Sequence, residues 1–175
     1  MNSEEKKKKG EEGECSFKEW LDEHRLSYLY INQDREYFAS FFKDNVKRPD
    51  FLVLIDSIGI IAIDVKNYTL LNNGCYRLDY EEEVRKVLSF ERLFRIPVWY
   101  AYLSKDDGEH VWYWISALKA VEVGHIRNIK KDKADKEVLF IEINEFVKIQ
   151  LNDDLGKLYS QRLPHLNKIN GLLEK

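Results

Sequence analysis

The amino-acid sequence predicts an α/β (α+β) fold in which helices flank a central mixed β-sheet. Two short runs rich in β-branched residues, 51–55 and 58–63, are typical of buried central strands. Segments 13–24 and 79–95 have the apolar spacing of amphipathic helices, and the aromatic run 98–103 follows the second of them. This order of helix, strands, helix and strand favours one layered domain.

The composition supports a folded chain of 175 residues. Apolar residues make up 44% and charged residues 34%, with 8 glycines and 3 prolines, which excludes collagen-like, mucin-like and largely disordered proteins. We expect a mobile charged tail at 1–12 and a single domain at 13–175, with a core at 13–104 and a C-terminal elaboration at 105–175. The lysine run 6–9 has an alternative interpretation as a nucleic-acid arm.

The net charge and the cysteines limit the partners and the cell compartment that we expect for the protein. A formal charge of −3 and a pI near 5.9 argue against nonspecific coating of nucleic acid or membranes, although a local basic groove is compatible with both values. Cys15 and Cys75 have no second cysteine or histidine at ligand spacing, so neither a zinc cluster nor a disulfide framework is indicated. Because no stretch has the pattern of a leader or a membrane span, we expect a cytoplasmic protein without membrane contact.

The remaining elements follow from local patterns. A short alternating strand is predicted at 27–32, and the aromatic stretch 37–42 predicts one or two helical turns. A polar Asp-Ser pair separates the two apolar runs, so a tight hairpin should join them. Pro97 ends the second helix. Further strands are predicted at 111–115, 138–143 and 146–151, followed by a C-terminal helix from about Asp154.

Two acidic residues adjoin the apolar runs. Asp50 immediately precedes the first run, and Asp64 ends the second. A carboxylate beside a buried strand has to be solvated, paired or bound to metal, because an unpaired buried charge is costly. Lys66 follows Asp64 by two residues, and alternate residues of a strand project to the same face. Asp64 and Lys66 should therefore point into one site.

The hairpin should bring Asp50 to the same site. If residues 56–58 form the loop, the numbers of opposed residues sum to 114, which pairs Asp50 with Asp64. A loop that is longer by one residue, or shifted, would pair Asp50 with residue 65 or 66 instead. The sequence thus predicts proximity and leaves the register open.

Helical angles place two glutamates on buried helix faces. At about 100° per residue, Glu14 lies about 20° from Leu21 and about 60° from Phe17. Glu91 falls within the apolar stripe of the second helix. Glu14 is therefore the candidate third acid of the site, and Glu91 is an additional one.

Several carboxylates around one lysine suit a divalent cation. Mg²⁺ and Mn²⁺ prefer oxygen ligands and keep several waters for substrate and nucleophile. Such an ion polarises a phosphate and lowers the pKa of a bound water, while a lysine orients that water or offsets charge in the transition state. These residue types accordingly favour metal-dependent phosphodiester hydrolysis.

The spacing of these residues resembles a known motif. Pro-Asp at 49–50, a spacer of 13 residues and Asp-Val-Lys at 64–66 resemble the PD-(D/E)xK motif of the restriction-endonuclease-like nuclease superfamily. That superfamily includes restriction enzymes, archaeal Holliday-junction resolvases and repair nucleases. The similarity extends to its αβββαβ core and covers roughly residues 13–104.

The resemblance implies a Mg²⁺- or Mn²⁺-dependent endonuclease that acts on nucleic acid, with DNA favoured over RNA. It implies that Asp50 and Asp64 bind metal, that Glu14 assists at the metal site, and that these acids form the catalytic set together with Lys66. Many superfamily members cut as dimers, so a homodimer is among the expected assemblies.

Residues around the motif are candidates for substrate contact. Lys47 and Arg48 directly precede it and are favoured for contacts with the phosphodiester backbone. Tyr68 lies at the mouth of the site, either as a substrate contact or as an edge-strand aromatic residue. Two alternatives stay open. One is a noncatalytic nucleic-acid or protein interaction module on the same scaffold, and the other is a structural domain in which Asp64 and Lys66 form an ion pair.

Overall fold

The computed structural model describes residues 3–33, 39, 42, 45–104, 111–131 and 134–160. The helices are α1 (Ser3–Glu23), α2 (Lys86–Phe94), α3 (Ala117–Val123) and α4 (Lys157–Ser160). The strands are β1 (Ser27–Tyr30), β2 (Phe51–Ile55), β3 (Gly59–Lys66), β4 (Cys75–Asp79), β5 (Val98–Leu103), β6 (Trp112–Ser116), β7 (His125–Lys131), β8 (Ala134–Glu142) and β9 (Val147–Ile149). A π-helical segment, Tyr80–Arg85, precedes α2, and a 3-10 turn, Ile143–Glu145, precedes β9.

Six strands form a mixed sheet in the order β1-β2-β3-β5-β6-β9, in which β3 and β5 are parallel and the other neighbours are antiparallel. The parallel pair requires a crossover connection, which contains β4, the π-helical segment and α2. Three further strands form an antiparallel sheet in the order β4-β8-β7. The predicted class, a central mixed sheet flanked by helices, is confirmed.

The large sheet is covered on both faces. On one face, the apolar side of α1 packs against alternate residues of β2, β3, β5 and β6, with Phe17, Trp20 and Leu21 fully buried. On the other face, α2, α3 and the small sheet cover the remaining alternate residues, including Ala62 and Tyr100. Since alternate residues of β3 continue in the same directions, Asp64 and Lys66 face the side of α2.

The β2–β3 hairpin has one of the registers that the sequence left open, the one expected if residues 56–58 form the loop. Ile55 is opposite Gly59 and Phe51 is opposite Ile63, so the opposed numbers sum to 114. Ser57 in the loop has a φ of 63° and Gly59 has a φ of 124°. Glycine reaches such a conformation without the steric cost that a side chain brings.

The structure also differs from the sequence expectations at the ends of elements. Helix α1 begins at Ser3, within the segment expected to be a tail. The backbone of α1 comes close to β3 at Gly13, where an added Cβ would lie 2.9 Å from the Cβ of Asn67. Asn67 Nδ2 also donates a 2.8 Å hydrogen bond to the Lys9 carbonyl. These contacts hold the early turns of the helix against the end of the sheet.

Three elements, β4, α3 and β7, were not among the predictions. The aromatic stretch 37–42 lies outside the described residues except at 39 and 42, and the C-terminal helix is described only as α4. None of the helices in the described ranges is long and apolar enough to cross a membrane.

Candidate functional site

The site lies where β2 begins and β3 ends. Asp50 precedes β2, Asp64 and Lys66 belong to β3, and Lys47 lies on the approach to β2. Glu83 reaches the same place from the π-helical segment of the crossover. The hairpin thus brings the two aspartates together, and the crossover adds a third carboxylate.

Asp50 is buried, with 8% of its surface exposed. Its N–H donates a 2.8 Å hydrogen bond to the Ile63 carbonyl, and its Oδ2 accepts a 2.7 Å hydrogen bond from the Val65 N–H. Burial and the neighbouring Asp64 carboxylate raise the pKa of Asp50 to about 8, and Glu14 adds to this effect. The carboxyl group therefore lies where a second negative charge is unfavourable.

Asp64 is 1% exposed and is held by two ammonium groups. Its Oδ2 lies 2.8 Å from Lys66 Nζ and 3.0 Å from Lys47 Nζ. Both ammonium groups contact the same oxygen atom, so their positive charge lies on one side of the carboxylate. Such pairing offsets the cost of burying an ionised aspartate.

Glu83 belongs to the site and was not among the residues predicted from the sequence. Its Oε1 lies 2.8 Å from Lys66 Nζ and 3.5 Å from Lys47 Nζ, and it accepts a 3.2 Å hydrogen bond from the Tyr68 hydroxyl. Its Oε2 accepts a 3.2 Å hydrogen bond from the Asp79 N–H. Burial alone would raise the pKa of Glu83, but the two ammonium groups outweigh it and lower this pKa to about 2.

A sequence signal for Glu83 did exist. In a helix, a residue shares its face with residues four and seven positions later. Those positions are Val87 and Phe90, both buried. By the same helical spacing that places Glu14 on a buried face, Glu83 lies on the buried face of its helix, although it was not among the predicted site residues.

Lys66 is 4% exposed and remains a cation. Burial alone would lower the pKa of Lys66, but the carboxylates of Asp64 and Glu83 outweigh it and hold this pKa well above its usual value. The ammonium also lies 5.7 Å from the ring centre of Tyr68 and 5.8 Å from that of Tyr100. A lysine in this state can stabilise negative charge but does not accept a proton.

Two further tyrosines line the site from β5. Tyr100 is opposite Asp64 and Tyr102 is opposite Lys66 in the parallel pair. Both side chains are fully buried, and within the described part of the chain neither hydroxyl has a hydrogen-bond partner. Burial raises the pKa of both phenols well above the usual value, so both stay neutral.

Glu14 approaches from the α1 face, opposite the face toward which Asp64 and Lys66 point. Its Oε2 accepts a 2.7 Å hydrogen bond from the Tyr30 hydroxyl. Accordingly, the described residues contain no group of three or more His, Cys, Asp or Glu side chains arranged to hold a metal ion. The two aspartates come together without the predicted third acid.

The other candidate residues have defined partners. Lys47 lies inside the ion-pair network, and Tyr68 borders it with 39% of its surface exposed. Arg48 donates hydrogen bonds of 2.8 and 2.5 Å to the carbonyls of Asn32 and Gln33. Glu91 accepts a hydrogen bond from the N–H of Val98, at the opposite end of β5 from Tyr102, and is not brought together with the aspartates.

The arrangement concentrates oppositely charged groups beside an uncompensated acid. Lys47 and Lys66 balance the charges of Asp64 and Glu83. In the described ranges no ion pair joins Asp50 to a cation, so ionisation of Asp50 would leave the site with one excess negative charge. A cation between the aspartates would relieve their repulsion.

The fold is similar to that of Hjc, a Holliday junction resolvase from the archaeal hyperthermophile Archaeoglobus fulgidus. The TM-score is 0.53 and the sequence identity is 14%, over 87% of this chain and 96% of the resolvase. No protein-family model and no curated protein sequence matches the chain. The likeness therefore concerns architecture: this chain has the fold of a solved Holliday junction resolvase.

Proposed function

We propose that the protein is a metal-dependent nuclease that hydrolyses phosphodiester bonds, specifically a DNA endonuclease. The observation that carries the proposal is the meeting of Asp50, Asp64 and Lys66 at one end of the β2–β3 hairpin. Two carboxylates can hold a divalent metal ion and an ammonium can offset negative charge, which suits metal-assisted phosphoryl chemistry. The fold shared with a Holliday junction resolvase supports this proposal.

The donor set fits Mg²⁺ or Mn²⁺. Only oxygen donors are offered, by Asp50 and Asp64, and hard divalent cations choose such ligands. The repulsion between the two carboxylates is the second argument, because a bound cation would remove it. Glu14 is the proposed third acid, and its hydrogen bond to Tyr30 would have to open for it to serve as a direct ligand. When bound, the metal would polarise the scissile phosphate and lower the pKa of a water molecule.

The remaining residues of the site would act through charge and position. Lys66, as an ammonium, would offset the negative charge that develops on the phosphate in the transition state. Glu83 and the rings of Tyr68 and Tyr100 hold that ammonium in place, so we propose Glu83 as a positioning residue. Lys47 and Tyr68 would meet the substrate at the mouth of the site, where both are partly exposed.

The test compares cleavage of plasmid, linear duplex and four-way-junction DNA by wild type, Asp64→Asn, Lys66→Ala and Asp56→Asn, with Mg²⁺ or Mn²⁺. Asp56 is a matched control because it is an exposed aspartate in the hairpin loop. Asp64→Asn and Lys66→Ala should abolish cleavage, and Asp56→Asn should retain it. Equal cleavage by wild type and Asp64→Asn would refute the proposal.

A second candidate, a noncatalytic interaction module, is favoured by two observations. Lys47 and Lys66 both contact the Asp64 oxygen, and the three expected acids are not gathered in the described structure. Titration calorimetry separates the two functions. A nuclease should bind Mn²⁺ in a manner that depends on Asp50 and Asp64, whereas a module without a working site should show no such binding.

A further inference from the structure

The outward face of the small sheet carries a row of basic and aromatic side chains. In the observed register, Arg77 of β4 and His125 of β7 are both directly opposite Phe140 of β8, so the three side chains lie on one face. Their neighbours Leu78 and Leu139 are buried in the core and point the other way. Arg77 and His125 are exposed, and Phe140 is partly exposed.

A fourth side chain completes this patch. Arg127 lies two residues after His125 on β7, so it projects from the same face. Its guanidinium carbon lies 5.6 Å from the centre of the Phe140 ring. A guanidinium held near an aromatic ring provides flat surface for stacking together with a positive charge.

The patch is positive in a protein whose formal charge is −3. Strand β7 contains three cationic residues and no acidic one, as its sequence HIRNIKK shows. Among the residues that the structure describes, neither Arg77 nor Arg127 forms an ion pair with a carboxylate. Both cations are therefore available to an anionic partner.

The patch is also connected to the candidate site. Asp79 lies two residues after Arg77 on β4, about 7 Å along the strand. The N–H of Asp79 donates to Oε2 of Glu83, whose other oxygen contacts Lys66. Lys136 of β8 pairs with Asp79 at the same end of the small sheet. Arg77 is therefore the member of the patch on the strand that leads to the candidate site.

We propose that this patch, formed by Arg77, His125, Arg127 and Phe140, binds a single-stranded stretch of nucleic acid next to the cleavage site. The bases would stack on the Phe140–Arg127 pair, and Arg77 and His125 would contact flanking phosphates. A duplex hides the faces of its bases within its own stack, so only unpaired nucleotides can use the aromatic part of the patch. The inference rests on the proposed function for its position beside a cleavage site.

The test measures binding without cleavage, by fluorescence anisotropy in EDTA. The probes are a short labelled DNA strand and the same strand in a duplex, each titrated at several salt concentrations. The test variant is Arg77→Ala with Arg127→Ala. The matched control is Lys18→Ala with Arg92→Ala, which removes two exposed cations from α1 and α2.

The test variant should weaken single-strand binding about tenfold at physiological salt and reduce the slope of log K against log salt by about 1.4. The control should match wild type. Phe140→Leu, which keeps an apolar side chain, should weaken single-strand binding about fivefold or more and leave duplex binding unchanged.

Equal single-strand affinity of the test and control variants would overturn the inference, as would equal losses for single strand and duplex. A wild-type protein that binds single strands through Arg77 and Arg127 but never cleaves would instead refute the proposed function. The two failures are therefore distinguishable.

Discussion

Replacing Asp50 by asparagine should stabilise the metal-free protein while abolishing its proposed activity. The unfolded chain releases the Asp50 proton near the ordinary carboxyl pKa of 3.8, whereas the folded protein retains it up to about 8. Between these values unfolding releases a proton, so the free energy of unfolding falls as pH rises. Asparagine keeps an oxygen acceptor for the Val65 N–H and carries no charge at any pH.

The magnitude follows from the two pKa values. Each pH unit between about 4 and about 8 should cost wild type about 1.4 kcal/mol relative to Asp50→Asn, or about 4 kcal/mol from pH 5 to pH 8. Below about pH 4 the difference should no longer change with pH. Asp56→Asn in the exposed hairpin loop serves as the control and should follow wild type.

Urea unfolding in EDTA, followed by tryptophan fluorescence, measures this difference, because all four tryptophans are buried. Added Mg²⁺ or Mn²⁺ should stabilise wild type at pH 8 and leave Asp50→Asn unchanged. Parallel stability curves for wild type and Asp50→Asn from pH 5 to pH 8 would show that Asp50 is not held in its neutral form, and the reasoning about the site would fail.

Three further predictions concern stability, each measured by urea or thermal unfolding. Glu83→Gln should lower the free energy of unfolding by about 3 kcal/mol at pH 7, since the pKa of Glu83 is about 2 in the folded protein and 4.5 ordinarily. The difference from wild type should vanish as pH falls from 4.5 to 2. A difference that stays constant with pH would contradict this prediction. Gly13→Ala should destabilise by about 1 kcal/mol, because the added Cβ would lie 2.9 Å from the Cβ of Asn67. Gly10→Ala, with no atom within 4 Å of the added Cβ, should stabilise by about 0.5–1 kcal/mol. Equal effects of the two substitutions would show that α1 does not pack closely at Gly13. Ser57→Gly should raise Tm, because Ser57 has a φ of 63°, and an unchanged or lower Tm would mean that the loop is unstrained.

The part of the site formed by local sequence could be predicted. The hairpin joins residues close in sequence, and a short Asp-Ser connection between two apolar runs leaves few registers, of which the structure has the one that places Phe51 opposite Ile63. Asp64 and Lys66 then shared a face because strand periodicity is two. These inferences required no knowledge of the tertiary structure.

The rest depended on long-range packing. Glu14 was correctly placed on the sheet-facing side of α1, but only the tertiary structure shows that this side is opposite the face of Asp64. Helix α3 was missed because it has only seven residues, and strand β7 was missed because its described side chains are almost all exposed. A strand without a buried face lacks the alternation by which strands are recognised.

Because β5 and β6 are buried, their backbone hydrogen bonds should be the last in the molecule to break. Every residue of β6 and all but the final residue of β5 are buried, and β5 hydrogen-bonds directly to the part of β3 that carries Asp64 and Lys66. Their amide hydrogens should therefore exchange with solvent only when the whole domain unfolds, whereas those of the edge strand β1 and of β7 should exchange through local fluctuations. The charged groups of the site are thus attached to the part of the sheet that should exchange most slowly, whereas the proposed nucleic-acid patch lies partly on β7, which should exchange through local fluctuations.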